Sequence, residues 1–197
     1  MRSMALAVLL AVFLSVPVSS RLAAQIQPAA KSGGLPLSMG AGVSGYDMNW
    51  GSGIMYGGTI WADYEPSLFP GWLHGLGAEI EARDISLNRS SSQPSNLKED
   101  TVGGGAIYSL DRYRTFRPYA KFLAFYGSMD FKRPNPAYTH DTGTVYAPGF
   151  GIDVHVFRSF WLRGDYEYQF WSILNTARNP RGVTVGLLYD FRGNRRR

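Results

Sequence analysis

Three histidines and two closely spaced pairs of carboxylates are the residues of this 197-residue chain whose types and spacing could do chemistry. His140 stands in the run Tyr138-Thr139-His140-Asp141-Thr142, where hydroxyls accompany a base and a carboxylate able to orient it. A hydrolytic triad needs those groups at distances that adjacency in sequence does not supply, so His140 reads as a polar loop residue. His155, two residues from Asp153, reads as part of a buried network, and His74, beside Trp72, as interfacial. Glu79 with Glu81, and Asp165 with Glu167, have the residue types of a glycosidase pair. The run Gly103-Gly104-Gly105 lies within a strand pattern rather than before a helix, which removes a phosphate-cradling role. Its expected use is to leave room for a bulky neighbour such as Trp61. There is no His-x-x-x-His spacing, no Walker-type loop and no cysteine, so no thiolate metal site or disulfide is available. No catalytic residue, cofactor-binding residue, cofactor or metal is assigned, and no enzymatic activity is expected.

The elements that position these side chains repeat with a period of two, the strand period, from Leu37 to Phe191. Eight segments of about ten residues carry the pattern. They run Leu37 to Tyr46, Met55 to Tyr64, Leu73 to Ile85, Thr101 to Leu110, Arg117 to Ser128, Val145 to Val156, Phe160 to Trp171 and Gly182 to Phe191. The third sets Leu76, Ala78, Ile80 and Ala82 against Glu79, Glu81 and Arg83. The seventh sets Phe160, Leu162, Tyr166 and Phe170 against Arg163, Asp165 and Glu167. In the fifth, Ala120, Phe122, Ala124 and Tyr126 oppose Lys121, but Leu123 and Phe125 blur the second face. Connections alternate in length. Glu65 to Trp72, Asp111 to Phe116 and Phe157 to Ser159 are short, whereas Asn88 to Asp100, Phe131 to Thr144 and Ser172 to Arg181 are longer and polar.

Composition agrees with many short strands: 23 glycines and 14% aromatic residues, with 18% charged. Beyond the N-terminus no apolar run reaches 18 residues, which excludes a helical membrane protein. The N-terminus itself reads as a secretory signal peptide, residues 1–24: Arg2, then an apolar stretch from Met4 to Val16, then Pro17 and small residues. Cleavage after Ser20 or after Ala24 fits those small residues. Residues 25–36 read as a flexible leader, residues 37–191 as one barrel domain and residues 192–197 as a basic tail. Loss of Arg2 and Arg21 with the signal reduces the net charge from +5 to +3, and part of what remains sits in the tail, so a nucleic-acid partner is not expected.

An all-β, eight-stranded antiparallel up-and-down barrel can put its apolar face inward, as in a soluble binder, or outward toward lipid. Segment length, aromatic residues at strand ends (Tyr56, Tyr64, Phe160, Phe170) and the final pair Tyr189 and Phe191 favour lipid outside. Through these features, and through the last segment Val183-Thr184-Val185-Gly186-Leu187-Leu188-Tyr189-Asp190-Phe191, the chain resembles the small eight-stranded outer-membrane β-barrel superfamily of the OmpA/OmpX type. The resemblance implies a bacterial outer-membrane location, both termini periplasmic, and an aromatic C-terminal strand read by the barrel-insertion machinery; here six residues follow Phe191.

With lipid outside, the charged face points into the lumen, where Glu79, Glu81, Arg83, Lys121, Asp153, Arg163, Asp165 and Glu167 are expected to form a charge network, Glu79 and Glu81 pairing with Lys121 and Arg163. Asp63 and Asp190 add to an excess of acids. An interior just wide enough for side chains would then be plugged. The expected role is structural or surface-interacting. A narrow porin-like channel is the first alternative and a lipid-modifying barrel enzyme the second. Outer-membrane lipid and lipopolysaccharide are the expected surroundings, and the long loops, with Arg89, Lys98, Lys132, Arg133 and Arg178, could meet an extracellular ligand.

Overall fold

The computed structural model describes residues 35–48, 53–66, 70–87, 96–110, 115–132, 139–172 and 179–192. The expected signal peptide, the leader as far as residue 34 and the tail from residue 193 lie outside the described residues, as do the connections 88–95, 133–138 and 173–178. No helix among the described residues is long and apolar enough to cross a membrane. The strands are what could cross one.

Alternation of branched or aromatic residues with small or polar ones produces eight strands. They are β1 (Leu37–Asp47), β2 (Ile54–Tyr64), β3 (Leu76–Leu87), β4 (Asn96–Ser109), β5 (Phe116–Lys132), β6 (Thr139–Phe157), β7 (Phe160–Tyr168, resuming as Phe170–Trp171) and β8 (Arg181–Asp190). At the interruption in β7 the Gln169 amide donates to the Pro180 carbonyl at 2.8 Å, so the ladder to the β8 side continues. Each strand pairs antiparallel with the next, and β1 also pairs with β8 from Ser38↔Asp190 to Asp47↔Arg181. The sheet closes on itself, and every strand has a partner on both sides. In hydrocarbon, where no water can satisfy a free edge, closure is what makes a β-structure viable. At the end where β1 begins and β8 finishes, β6 and β7 are joined by the two residues Arg158 and Ser159, with Arg158 at φ 50° in the left-handed region a tight turn demands.

The outer surface carries the large apolar side chains. Ile80 is 54% exposed, Leu187 56% and Phe150 62%, and Val43, Ile60, Phe122 and Leu162 share their face. Tyr56, Tyr126, Tyr146 and Phe170 ring this belt toward the loop end. Tyr64, Phe116, Phe160 and Tyr189 ring it toward the termini. An apolar band of about 25 Å between two aromatic girdles is what a bilayer requires of a tilted barrel.

Three strands outrun the expected ten residues: β4 has 14, β5 has 17 and β6 has 19. Parts of the expected loops Asn88 to Asp100 and Phe131 to Thr144 are therefore sheet, and His140 is a strand residue. The reason is that lipid patterning and backbone pairing end at different heights. Above the girdle the outward positions turn polar in one cross-strand row, Asp84, Asp100, Ser128 and Thr142, while the ladder of hydrogen bonds runs on. At the other end the third segment starts late, because Gly71–Leu73 form a short 3-10 turn and β3 begins at Leu76.

Inside, Leu123 and Phe125 resolve the blurred pattern of the fifth segment: both are buried and face inward. They belong to an apolar cluster with Tyr46, Met48, Met55, Ile85, Leu87, Leu97, Met129, Val145, Ala147 and Trp171. By register this cluster fills the half of the lumen away from the termini. The remainder holds the charged side chains together with Trp61, Ile107, Tyr119 and Leu188.

Candidate functional site

The charged layer is built by inward positions of β2 to β7, because each strand offers every second residue to the lumen. Its lower centre is Arg163 of β7. The guanidinium reaches Asp153 through Nε at 2.8 Å, Asp63 through Nη2 at 2.8 Å and Glu79 through Nη1 at 3.1 Å. It lies over the rings of Tyr119, 4.5 Å from the centroid, and Trp61, 5.2 Å away. Planar stacking and a fork of donors are properties of arginine that lysine lacks.

Lys121 of β5 forms the second centre. Its ammonium lies 3.0 Å from Glu79, 2.9 Å from Glu81, 3.1 Å from Asp165 and 3.4 Å from Glu167. Arg83 completes the layer toward the apolar cluster. It pairs with Glu81 and, at 2.9 Å, with Glu167, and its guanidinium sits 4.3 Å from the centroid of the Tyr46 ring. Tyrosines orient the acids from the edge: Tyr119 Oη donates to Asp165 at 2.6 Å and Tyr46 Oη to Glu167 at 3.1 Å.

All eight residues assigned to the lumen network are buried, together with Asp63. Arg163 meets Glu79 but not Glu81, whose second cation is Arg83 rather than Arg163. Three members were not assigned to this layer from the sequence, Arg117, Glu99 and Trp171, and Gln169 joins them from the charged face of β7. Arg117, at the start of β5, bonds Asp153 at 3.1 Å and faces Asp190 at 3.4 Å, and it stacks on Trp161. Glu99, taken for loop, faces inward and is fully buried. Gln169 donates to Glu99 at 3.2 Å, and Trp171 Nε1 donates to Gln169 at 2.8 Å. The signal that could have found Arg117 is parity: it is four residues before Lys121 on a period of two.

Other expectations are corrected. His155 does not join the buried network. It stands partly exposed at the rim, where its Nε2 donates to the Arg158 carbonyl at 2.7 Å and its ring meets Trp161 edge-on at 4.9 Å. His140 finds its carboxylate across the strand pair, in Asp130 of β5, and not in its neighbour Asp141. The room for Trp61 comes from Gly40 and Gly186, where an added Cβ would overlap the indole. At Gly103 and Gly105 a Cβ would instead strike the backbone of β5. Among the described residues no group of three or more His, Cys, Asp or Glu is arranged to hold a metal ion.

A ring of ion pairs marks the end that holds the termini. Arg192 reaches Glu65 at 2.6 Å and Asp190 at 2.9 Å, and Ser109 donates to the other Glu65 oxygen at 2.8 Å. The arrangement as a whole is suited to holding the barrel shut and rigid. Every carboxylate of the layer except Glu99 faces a lysine or arginine.

Residues 6–191 match the family described as outer membrane protein beta-barrel domain. Among solved structures, the chain is similar to neisserial surface protein A, with a TM-score of 0.60 at 16% identity over 79% of this chain and 96% of that one. It is similar also to Ail, the attachment invasion locus protein of Yersinia pestis, with a TM-score of 0.56 at 17% identity over 81% of this chain and 99% of that one. The same Ail protein in complex with the heparin analogue sucrose octasulfate gives a TM-score of 0.53 at 18% identity, over the same shares. At such identities the likeness is one of fold. No curated protein matches the chain.

Proposed function

Because the chain belongs to the outer membrane protein beta-barrel domain family, we propose that this bacterial outer-membrane barrel works through its loop end as a structural or surface-interaction protein, with its lumen closed to solutes. The observation that carries this reading is the filled interior. Arg163 and Lys121 between them bind six carboxylates in one layer, and an apolar cluster fills the space beyond it. A side-chain-filled barrel of eight strands leaves the outer wall and the connections as the surfaces that meet other molecules.

In this reading the turn between β6 and β7 faces the periplasm, and β4, β5 and β6 extend beyond the aromatic girdle on the outer side. Loop cations such as Arg89, Arg133 and Arg178 suit anionic partners, including lipopolysaccharide phosphates. The Ail complex with a polysulfated sugar gives a precedent for anion binding on this fold. Catalysis has no part in the reading, since the paired carboxylates are held as ion-pair partners. A peptide tag inserted at Ala137 should be labelled on intact cells, and one placed between Arg112 and Thr115 should be labelled only after the outer membrane is breached. The reverse pattern would defeat the orientation and the surface role with it.

A further inference from the structure

Eight carboxyl groups are buried among the described residues: Asp63, Glu65, Glu79, Glu81, Glu99, Asp153, Asp165 and Glu167. Seven of them have a lysine or arginine nitrogen within 4.0 Å. Glu99 is the eighth. Its Oε1 accepts one hydrogen bond from the neutral amide of Gln169, and its Oε2 has no hydrogen-bond partner at all. Two residues along the same face of β4, the hydroxyl of Thr101 is also buried without a partner.

The groups that face Glu99 do not supply the missing charge. From β3 it meets Ile85 in register and, one inward position on, Arg83, whose guanidinium is shared between Glu81 and Glu167. From β5 the register partner is Met129. From β7 come Gln169 and the like-charged Glu167, and from β1 the Tyr46 hydroxyl, which donates to Glu167. On its own strand Lys98 and Asp100 point outward and bond each other. An ionised carboxylate left with one neutral donor is far costlier to bury than the neutral acid.

We propose that Glu99 is a proton-binding site at neutral pH and that the bound proton keeps the apolar end of the lumen seated. As the acid, Glu99 leaves Oε1 to accept from Gln169 and carries the proton on Oε2. Gln169 in turn accepts from Trp171 Nε1, and Trp171 belongs to the apolar cluster, so the acid, the amide and the indole form one chain of hydrogen bonds. Loss of the proton puts an unpaired charge beside Ile85 and Met129 of that cluster, and water must enter to solvate it. Since the fold favours the protonated form, the stabilisation is whole only below the ordinary range of a free glutamate, falls as the pH rises toward neutrality, and is gone once Glu99 ionises in the folded protein.

Infrared spectra of the full chain folded in phosphatidylcholine vesicles read that proton directly. Near neutral pH the wild type should show the carbonyl stretch of a protonated carboxylic acid, and Glu99→Gln, which keeps shape and neutrality, should lose it. Urea stability should also fall less between about pH 4 and about pH 8 in Glu99→Gln than in the wild type. If Glu99→Gln does not fold, Glu99→Met serves for both measurements. Absence of the band in the wild type, its survival in the variant, or equal pH dependence in the two proteins would each overturn the proposal.

Discussion

Trp61 shows how one side chain constrains its neighbours. The indole lies beneath the Arg163 guanidinium, and it is accommodated because the inward positions beside it on β1 and β8 are Gly40 and Gly186. Gly40→Ala should therefore destabilise the barrel by about 1 to 3 kcal/mol through overpacking, and Trp61→Phe in the same chain should return part of that loss. Urea titration in vesicles, followed by heat-modifiable gel mobility, measures both. Additive effects of the two changes would show that the glycine and the indole do not compete for space. Lys121 is the more exacting case, because a single ammonium faces four carboxylates. Lys121→Met should cost about 3 to 5 kcal/mol, the range for stranding buried charges, and Glu81→Gln clearly less, since it leaves three of those contacts in place. Equal losses would mean that the ammonium is not the hub. Which residues face inward was legible from the period of two. Which acid meets which cation was not, because Arg163 and Asp63 are 100 residues apart and meet only through barrel closure.

At the scale of the strand, the apolar stripe and the hydrogen-bonded ladder are separate properties, and they part company in β4, β5 and β6. Sequence periodicity located every strand because lipid contact imposes alternation, but it stopped at the upper girdle, where Asp84, Asp100 and Ser128 take outward positions that lipid no longer governs. His140 and Glu99 were lost to loops for that reason. Ile80→Arg, Leu162→Arg and Leu187→Arg should each destabilise by about 2 to 4 kcal/mol, as cations placed at mid-bilayer do. Ser128→Arg, on the same outer face but above the belt, should be close to neutral. The lumen face is no refuge for a cation. Thr184 is buried and its hydroxyl bonds Ser44 at 2.7 Å, so Thr184→Arg overfills the interior and should also destabilise. Comparable losses at Ser128 and Leu187 would remove the distinction between belt and extension.

Taken whole, the described part of the lumen holds two groups of buried side chains, one charged and one apolar. Sequence alone pointed to a plug of charges, and on that basis removal of Lys121 or Arg163 would open a brief cation-selective path. The inward-facing Leu123, Phe125, Met129 and Trp171 change that expectation, because they close the half of the lumen beyond the charges. Lys121→Ala alone should remain silent, and conduction should need Phe125→Ala and Trp171→Ala as well, since hydrophobic constrictions exclude ions by excluding water. A wild-type lumen filled from the charged layer to the loop end should carry no ion current. Single-channel recording of the folded wild type in planar bilayers tests it most directly. The predicted record is a flat baseline across the voltage range the bilayer withstands, and sustained open steps of a water-filled lumen would contradict it.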